Sequence, residues 1–323
     1  MTPLPQNNDT TTQDDHDPLP PTEMIYYTYD GNFQLDCEAK ILAGQFIDGD
    51  EKTERENIGQ TGERVVQLSL DRTVLYAQGG GQPTDTGSIL IGGDATGKEK
   101  SEIFVTKVVL DRATGVATHT GTLKPTSKDC ASIGAAVPPP FSFSWIGADV
   151  KVSVDADRRQ ILSECHTAGH VVDMAMARCE TMMPPTKAYH FLDGPYVEYK
   201  GTIPAEEKSV LLEKLQATFQ ELVESDVATE ISSVSRSDAE EICNKMTGSG
   251  SGNQADDYFQ LKKMFREDEI VRIVRVAGWP VPCGGTHVKS TGELKNRNWG
   301  ITGFRCKKGV VRVKYGQEWN KEK

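Results

Sequence analysis

The sequence predicts an α+β protein in two parts, and three observations support this fold class. Residues 24–155 contain short β-branched runs separated by Gly, Asp or Pro, which is typical of a small β-barrel or sandwich. At Asp157 the apolar spacing becomes helical, and strand-like segments follow further along the chain. Helices followed by antiparallel strands indicate an α+β second part. The length of 323 residues also favours two domains, since one domain has roughly 100–200 residues.

The first part is predicted to be a β-domain over residues 23–154, behind a disordered acidic tail at residues 1–22. That tail holds five Pro and many Thr, Asn and Asp, and it lacks a periodic apolar pattern. Two stretches, 47–62 and 123–140, are interpreted as surface insertions. The strands predicted from the β-branched runs are Arg64–Leu70, Thr73–Tyr76, Ser88–Ile91, Ile103–Leu110 and Val150–Val154.

The second part is predicted to cover residues 155–323 and to begin with a long helix. Apolar residues recur at helical spacing from Arg158 to Glu180, and Asp155 or Asp157 can cap the start. A second helix is predicted over Ala205–Glu224, and the capping-box match at Ser237–Glu240 opens a third that ends at Met246. The remaining predictions are strands at Tyr196–Lys200 and Ile270–Val276, a flexible loop at Thr247–Gln254, and a hairpin over Ile301–Tyr315 that turns at Lys307–Gly309.

The charge of the chain is unevenly distributed. The formal net charge of −11 argues against a nucleic-acid partner, because neutralising phosphates requires basic surface. Residues 1–60, however, contain thirteen acidic and three basic side chains, whereas residues 295–323 contain nine basic and two acidic ones. The acidic excess therefore belongs largely to the N-terminal region, and the basic C-terminal segment is a candidate for contact with a polyanion.

Several classes of protein are disfavoured by the sequence. No apolar run approaches the ~20 residues that span a bilayer, and the polar N-terminus does not resemble a signal or transit peptide. The seven Cys are odd in number and include no CxxC pair, which favours a reducing compartment over a disulfide framework. We therefore expect a cytoplasmic protein without a membrane partner.

Two separated motifs together predict a metal site. His166 and His170 are four residues apart on the first predicted helix, so their imidazoles share one face. Cys283 and His287 flank a Gly-Gly turn that can direct both side chains to one point. Three imidazole nitrogens and one thiolate suit Zn²⁺, although four protein ligands usually make a structural site. Catalysis would require one ligand to yield to water or substrate, or a five-coordinate ion. The neighbouring Cys165 is assigned to the core.

A glycine-rich turn follows the strand predicted at Thr73–Tyr76. Gly79, Gly80 and Gly81 permit close approach of the backbone to a ligand or to another chain segment. The turn lacks the Lys-Ser/Thr of a P-loop and the spacing of a dinucleotide fingerprint. It is therefore either part of a binding site or a turn that packs two domains together.

Four motifs in this order resemble a known family. They are GGGQPTDTG (79–87), VDADRRQILSECHTAGH (154–170), YHFLDGPYVEY (189–199) and CGGTHVKSTGEL (283–294). The sequence resembles the editing half of alanyl-tRNA synthetase over about residues 24–316. It is more similar still to the free-standing, medium-length editing proteins of the AlaX type. Because the editing-type region starts about twenty residues after Met1, we expect no aminoacylation domain.

The resemblance implies a fold, a metal and a reaction. The first domain would be a β-barrel like those of translation proteins, and the second would be the α+β domain shared with threonyl-tRNA synthetase. One zinc ion would be bound by His166, His170, Cys283 and His287. The activity would be hydrolysis in trans of mischarged tRNA(Ala), chiefly Ser-tRNA(Ala), with Gly-tRNA(Ala) as a further candidate. A pocket for Ala cannot strongly reject these amino acids, so a second site must remove them.

The site residues implied by the resemblance are less complete than its metal ligands. No general base is identified, so a water polarised by zinc and a ribose hydroxyl of the tRNA are the candidates for catalysis. The region that carries a serine-selecting Thr in some relatives contains Lys187–Phe191 here, with His190 at the loosely matching place. His190 is therefore either a pocket hydrogen-bonder or a buried structural histidine. The candidate substrate-binding residues are Gly79, Gly80, Gly81, Gln82, Asp85, His190 and Thr286.

The basic C-terminal segment supplies candidate tRNA contacts at Arg305, Lys307, Lys308 and Arg312. The alternative is a solvated hairpin edge, where Lys commonly prevents aggregation. Two other functions also remain open: a zinc-stabilised RNA-binding module without catalysis, and an editing domain for another tRNA. The oligomeric state is not determined by the sequence, and a monomer is favoured.

Overall fold

The computed structural model describes residues 18–47, 64–92, 101–123, 145–247 and 258–317. Residues 1–17, nearly all of both suggested insertions and most of the suggested loop after Thr247 lie outside this part. The strands are β1 (Glu23–Met24), β2 (Asp36–Phe46), β3 (Arg64–Leu70), β4 (Arg72–Thr73), β5 (Gly87–Ile91), β6 (Ser101–Leu110), β7 (Ala117–Leu123), β8 (Asp149–Val154), β9 (Pro185–Tyr189), β10 (Tyr196–Lys200), β11 (Glu230–Ser235), β12 (Ile270–Val276), β13 (Trp279–Pro282), β14 (Gly300–Lys307) and β15 (Val310–Gly316). The α-helices are α1 (Tyr29–Asn32), α2 (Ala156–Arg178), α3 (Lys208–Glu224), α4 (Arg236–Thr247) and α5 (Leu261–Met264).

The first part of the chain is a closed barrel. Its six strands follow the order β2-β3-β7-β6-β5-β8, and every neighbouring pair is antiparallel. The eleven-residue β2 closes the barrel, because its first half pairs with β8 and its second half pairs with β3. A register shift between Ile41 and Ala43 marks the change of partner, as a bulge permits a strand to bend. Of the two architectures predicted for this part, a barrel or a sandwich, the structure shows the barrel.

The second part surrounds helix α2. A four-stranded antiparallel sheet, β14-β15-β10-β9, packs one face against α2, while α3 packs against α2 and β14. A separate three-stranded sheet has the order β11-β12-β13. The side chains buried between α2, α3 and the four-stranded sheet include Val172, Met176, Phe219, Val311 and Val313. The α+β interpretation is confirmed for the described residues, none of whose helices is long and apolar enough to span a membrane.

Some local sequence predictions hold and others are wrong. Asp155 caps α2, because its side chain accepts a hydrogen bond from the N–H of Arg158 at 3.1 Å. Ser237 does not cap the third predicted helix. That helix begins at Arg236, and Ser235 accepts the hydrogen bond from the N–H of Asp238. The predicted strand Thr73–Tyr76 is also shortened, since β4 ends at Thr73 and the chain bends into the glycine-rich turn.

Buried polar contacts fix α2 against the barrel. The guanidinium of Arg159 forms an ion pair with Asp85, just after the glycine-rich turn, and donates to the carbonyl of Val74 at 2.6 Å. Asn32, at the end of α1, exchanges two hydrogen bonds with the backbone of His287, at 2.8 and 3.0 Å. Breaking a buried ion pair leaves an uncompensated charge, which makes such contacts costly to lose. The loop that carries His287 is therefore tied to the segment that precedes the barrel.

His119 provides a test of the barrel core. Its ring is buried, with Nε2 2.9 Å from Thr73 Oγ1 and Nδ1 3.3 Å from the carbonyl of Leu68. Burial lowers the pKa of His119 from 6.5 to about 4, although the hydrogen bond to Leu68 opposes this shift. Between these two pH values His119 is largely protonated in the unfolded chain but remains neutral in the folded barrel.

We predict that His119→Gln removes part of the acid sensitivity of the fold. In the wild type, His119 should lower the free energy of unfolding by about 3 kcal/mol as the pH falls from 6.5 to 4. The variant lacks this contribution, so the stability gap between wild type and variant should narrow over that range. Urea unfolding at several pH values measures the gap. A gap that does not change with pH would contradict the assigned pKa.

Candidate metal centre

Helix α2 and the loop after β13 bring four possible metal ligands together. The ligand atoms of His166, His170, Cys283 and His287 all lie within 4.8 Å of one another. Cys283 Sγ is 3.3 Å from His166 Nε2 and 3.4 Å from His287 Nε2. Ligands bound tetrahedrally to zinc at 2.0–2.3 Å are separated by about 3.5 Å. The observed spacing therefore fits one ion held between the four side chains.

Glycine at position 285 permits this close approach. A Cβ atom there would overlap the imidazole of His166. The loop is also held from behind by Arg272 on β12, whose buried guanidinium donates to the carbonyls of Cys283 at 2.6 Å and Gly285 at 2.9 Å. The same side chain donates to the carbonyl of Tyr27 at 2.8 Å, so the loop is attached to the N-terminal segment as well.

The electrostatics of the cluster suit a cation. Burial lowers the pKa of His166, His170 and His287, and for His170 the value falls to about 3. These imidazoles are consequently neutral at physiological pH, which is the form that binds metal. Burial raises the pKa of Cys283, while the positive charge of Arg272 lowers it. A coordinating thiol loses its proton to a bound cation.

Hydrogen bonds orient two of the three histidines. Nδ1 of His166 lies 2.7 Å from Oε1 of Gln82, and Nδ1 of His287 lies 3.1 Å from Oγ1 of Thr167. Both rings thereby direct Nε2 toward Cys283, as the outer partners of metal-binding histidines commonly do. Nδ1 of His170 is buried and has no hydrogen-bond partner within the described residues. An unpaired buried polar atom is costly, and a cation bound through this nitrogen would satisfy it.

The glycine-rich turn joins the centre through Gln82. Oε1 of Gln82 also accepts from the N–H of Thr286 at 3.0 Å, and Nε2 donates to Oγ1 of Thr286 at 2.8 Å. The structure thus places Gln82 and Thr286, two sequence-predicted binding residues, in contact with the ligand loop. Gly81 lies in the left-handed region, with φ 81°, and its carbonyl accepts the N–H of His190 at 2.8 Å. A Cβ at Gly81 would meet the carbonyl oxygen of Ala188 at 2.5 Å.

The other candidates from this turn lie further from the cluster. Gly79 and Gln82 exchange backbone hydrogen bonds, and Gly80, with φ 53°, is exposed. Asp85 is fully buried with Arg159, and one of its carboxylate oxygens accepts from the N–H of Tyr76 at 2.8 Å. In the described structure the recorded contacts of Asp85 are with the barrel side of the interface and with α2, and none is with the four ligands.

His190 is buried beside the metal ligands. Its ring stacks on that of His166 with centroids 4.1 Å apart, and its Nδ1 lies 2.5 Å from the hydroxyl of Tyr315. Burial lowers the pKa of His190 to about 3. Gly169 makes room for it within helix α2, since a Cβ there would lie 2.5 Å from Cε1 of His190. The structure therefore shows a buried histidine that also borders the cluster.

Asp173 is a candidate site residue that sequence reasoning missed. It follows His170 by three residues, so it continues the stripe of α2 that carries both histidines. Tyr199 donates to its Oδ1 at 2.6 Å, and burial raises the pKa of the Asp173 carboxyl to about 7, with this hydrogen bond opposing the rise. Its charge is close enough to raise the pKa of Cys283. The helical spacing of His166, His170 and Asp173 could have predicted that the three side chains lie on one face of α2.

The candidate tRNA contacts lie on strands β14 and β15 and in the turn that joins them. Arg305 and Lys307 on β14, and Lys308 in the turn that follows, are exposed, whereas Arg312 forms an ion pair with Glu198 at 2.5 Å. Cross-strand pairing places Arg305 and Arg312 side by side. They lie on the sheet face opposite to the one that packs on α2.

Fold and cluster together define a class: a two-part α+β protein whose second part has a candidate four-ligand metal centre. A family model described as the threonyl and alanyl tRNA synthetase second additional domain matches residues 271–313, which include Cys283 and His287. The alanine–tRNA ligase of Halobacterium salinarum is 27% identical over 308 residues, or 92% of this chain. The chain spans about a quarter of the length of that ligase, 26%.

Shorter relatives narrow the class to one family. The alanyl-tRNA editing protein AlaX-M of Methanosarcina barkeri is 31% identical over 229 residues, which are 70% of this chain and 79% of that protein. The corresponding protein of Methanosarcina mazei is 29% identical over 240 residues, which are 73% of this chain and 82% of that protein. The chain belongs to this family of alanyl-tRNA editing proteins.

We predict that the effect of Gly169→Ala depends on His190. In the wild type, the added methyl group should displace His190 and destabilise the fold by about 1–3 kcal/mol. In a His190→Ala background only the Tyr315 hydroxyl remains close, 2.9 Å from the added Cβ, so the same change should be clearly less destabilising than in the wild type, because the helix propensity of Ala offsets part of the cost. Chemical unfolding of the four proteins gives the coupling between the positions. Equal effects in both backgrounds would contradict the packing described for Gly169.

Proposed function

We propose that this protein is a trans-editing hydrolase that deacylates mischarged tRNA(Ala), chiefly Ser-tRNA(Ala), with Gly-tRNA(Ala) as a second substrate. The observation that carries the proposal is the His₃Cys cluster, set against the glycine-rich turn in a chain that belongs to the alanyl-tRNA editing proteins. The whole reaction requires cleavage of one ester bond by water, which yields free amino acid and tRNA. The relatives in Methanosarcina are alanyl-tRNA editing proteins, and the choice of serine and glycine as the amino acids removed is part of this proposal.

We propose zinc as the metal, held by His166, His170, Cys283 and His287. Three neutral imidazoles and one thiolate form a borderline-soft donor set of the kind zinc prefers. A bound zinc ion would supply Lewis acidity to the ester carbonyl or to a water molecule. The chain's own residues fix the donors: Gln82 and Thr167 orient His166 and His287, and Arg272 holds the loop.

Further residues can shape the pocket for the aminoacyl group. We propose that His190 and Thr286, which border the cluster, are pocket residues, and that the turn at Gly79–Gln82 forms one wall. His190 is the candidate for contact with the serine hydroxyl because its ring lies against His166. Asp173 is a second polar group on the face of α2 that carries His166 and His170, and a carboxyl with a pKa near 7 can accept or donate a proton at neutral pH.

The second candidate function is a zinc-stabilised RNA-binding module without catalysis. It is favoured by one observation, namely that four protein ligands can close a metal site to substrate. Arg305, Lys307, Lys308 and Arg312 would contact RNA in either case. Hydrolysis of the ester separates the two proposals.

We predict that the purified protein deacylates Ser-tRNA(Ala) well above the spontaneous rate, Gly-tRNA(Ala) to a smaller or similar extent, and Ala-tRNA(Ala) least. The reason is that only the mischarged products need a second site for their removal. The assay follows loss of radiolabelled amino acid from each tRNA. If Ser-tRNA(Ala) is no less stable with the zinc-loaded protein than in buffer, the editing proposal fails and the RNA-binding alternative stands.

Replacement of Cys283 tests the metal assignment. We predict about one zinc per chain in the wild type, and loss of both zinc and deacylation in Cys283→Ala, since three neutral histidines hold the ion more weakly. Cys306→Ala is the matched control, because Cys306 is also a partly buried free thiol in this half of the chain but is not part of the cluster. Elemental analysis measures the zinc. Unchanged zinc content in Cys283→Ala would refute the ligand set.

A further inference from the structure

The four-stranded sheet has one buried face and one exposed face. Cross-strand pairing assigns six basic side chains to the exposed face, which we call the outer face: Lys187, Lys200, Arg305, Lys307, Arg312 and Lys314. Glu198 is the acidic residue among these strand positions, and it pairs with Arg312. The other five basic side chains form no ion pair within the described residues, and all five are exposed. In a chain of net charge −11, this surface is locally strongly positive.

Three aromatic rings form a stack at one corner of the outer face. The rings of Phe191 and Tyr189 have centroids 4.5 Å apart with an interplanar angle of 11°, and those of Tyr189 and Tyr196 are 5.3 Å apart at 21°. The guanidinium of Arg312 covers the far side of Tyr196, 3.9 Å from its centroid. This aromatic ladder therefore ends in a cation on one side and in Phe191 on the other. Each of its three rings is partly exposed.

The ladder adjoins the candidate metal centre through one strand. Tyr189 and Phe191 flank His190, and alternation along the chain turns His190 inward, where its ring stacks on His166. Strand β9 is at the edge of the four-stranded sheet, and the glycine-rich turn packs against its end, where the carbonyl of Gly81 accepts the N–H of His190 at 2.8 Å. Residues 189–191 thus contribute side chains to both the outer face and the surroundings of the cluster.

The chemistry of this surface identifies the class of ligand. Unpaired lysines and arginines attract phosphate groups, and aromatic rings stack on unpaired bases irrespective of sequence. A blunt duplex offers phosphates but no free base to stack upon Phe191. A protein partner would require an apolar centre, whereas the outer face is dominated by charged side chains.

We propose that the outer face binds the single-stranded 3′ end of tRNA, with the terminal bases stacking on the aromatic ladder and the lysines contacting the backbone. This proposal rests on the proposed function for the identity of the nucleic acid, and it goes beyond it by locating the strand. The 3′ end would then lie at the Phe191 end of the ladder, which is the end of β9 where the next residue, His190, borders the cluster.

The test compares two fluorescent RNA hairpins of the tRNA(Ala) acceptor stem, one with its single-stranded 3′ end and one blunt. Neither carries an amino acid, and fluorescence anisotropy measures affinity. The wild type should bind the tailed hairpin more tightly. Phe191→Ala should weaken binding of the tailed RNA about 10-fold and leave the blunt RNA unchanged. Phe191→Trp should retain the preference for the tail, which guards against a misfolded alanine variant.

The lysines have a different expected signature. Lys187→Ala and Lys314→Ala should each weaken both RNAs, and each should reduce the slope of log affinity against log salt by about 1. Lys245→Ala, an exposed lysine on α4, is the control for loss of one charge and should change neither slope nor affinity. Tyr29→Ala, an exposed aromatic residue outside the sheet, is the control for loss of a ring.

The outcomes separate this inference from the proposed function. If the wild type deacylates Ser-tRNA(Ala) but Phe191→Ala and the lysine variants leave RNA affinity unchanged, the outer face is not the binding surface and the inference fails alone. If deacylation is absent while the tailed hairpin still binds through Phe191, the inference stands and the proposed function fails. Self-association that depends on Lys187 and Lys314, without RNA binding, would show a protein interface instead and overturn the proposal.

Discussion

One buried side-chain amide connects the two segments that supply the His₃Cys cluster. Gln82 accepts hydrogen bonds from His166 on α2 and from the backbone of Thr286 on the ligand loop, and it donates to the hydroxyl of Thr286. Loss of this amide would leave Nδ1 of His166 and the N–H of Thr286 without their acceptor, each at a cost of about 1–3 kcal/mol, whereas the Thr286 hydroxyl would keep its contact with Ser163. Because Gln82 belongs to the barrel part, the barrel takes part in building the centre. A free α+β half would lack the group that orients His166.

Two buried arginines also connect the segments around the cluster. Arg272 has no carboxylate partner among the described residues, and its guanidinium is instead surrounded by the carbonyls of Tyr27, Cys283 and Gly285. Its positive charge lies where it favours the thiolate form of Cys283. Arg159, by contrast, is paired with Asp85. One arginine therefore supports the ligand loop electrostatically, and the other fastens helix α2 to the barrel.

The sequence predicted the parts of the molecule better than their contacts. The helix bearing His166 and His170 and the turn bearing Cys283 each have a local pattern, and the resemblance to editing proteins connected them. The partnership of Gln82 with Thr286 spans 204 residues, and no local periodicity reports a contact at that separation. The cap of α4 was misplaced because Ser235 and Ser237 offer nearly the same local match, and only the helix start distinguishes them. Gly169 had no sequence explanation until His190 was found against it.

A chain with a strongly acidic total charge can still have a local basic surface, and strand alternation determines which side chains reach that surface. Tyr189 and Phe191 point outward and His190 points inward, so the proposed RNA-binding surface and the His₃Cys cluster lie on opposite faces of the same sheet. At physiological salt the field of a charge is largely screened beyond about 8 Å. The net charge of −11 is a sum over the whole chain, and thirteen of its acidic residues lie within residues 1–60. The electrostatic potential at a phosphate group on the outer face is therefore determined mainly by nearby side chains such as Lys187, Lys314 and Arg312. The total charge of the chain is a poor guide to this kind of binding.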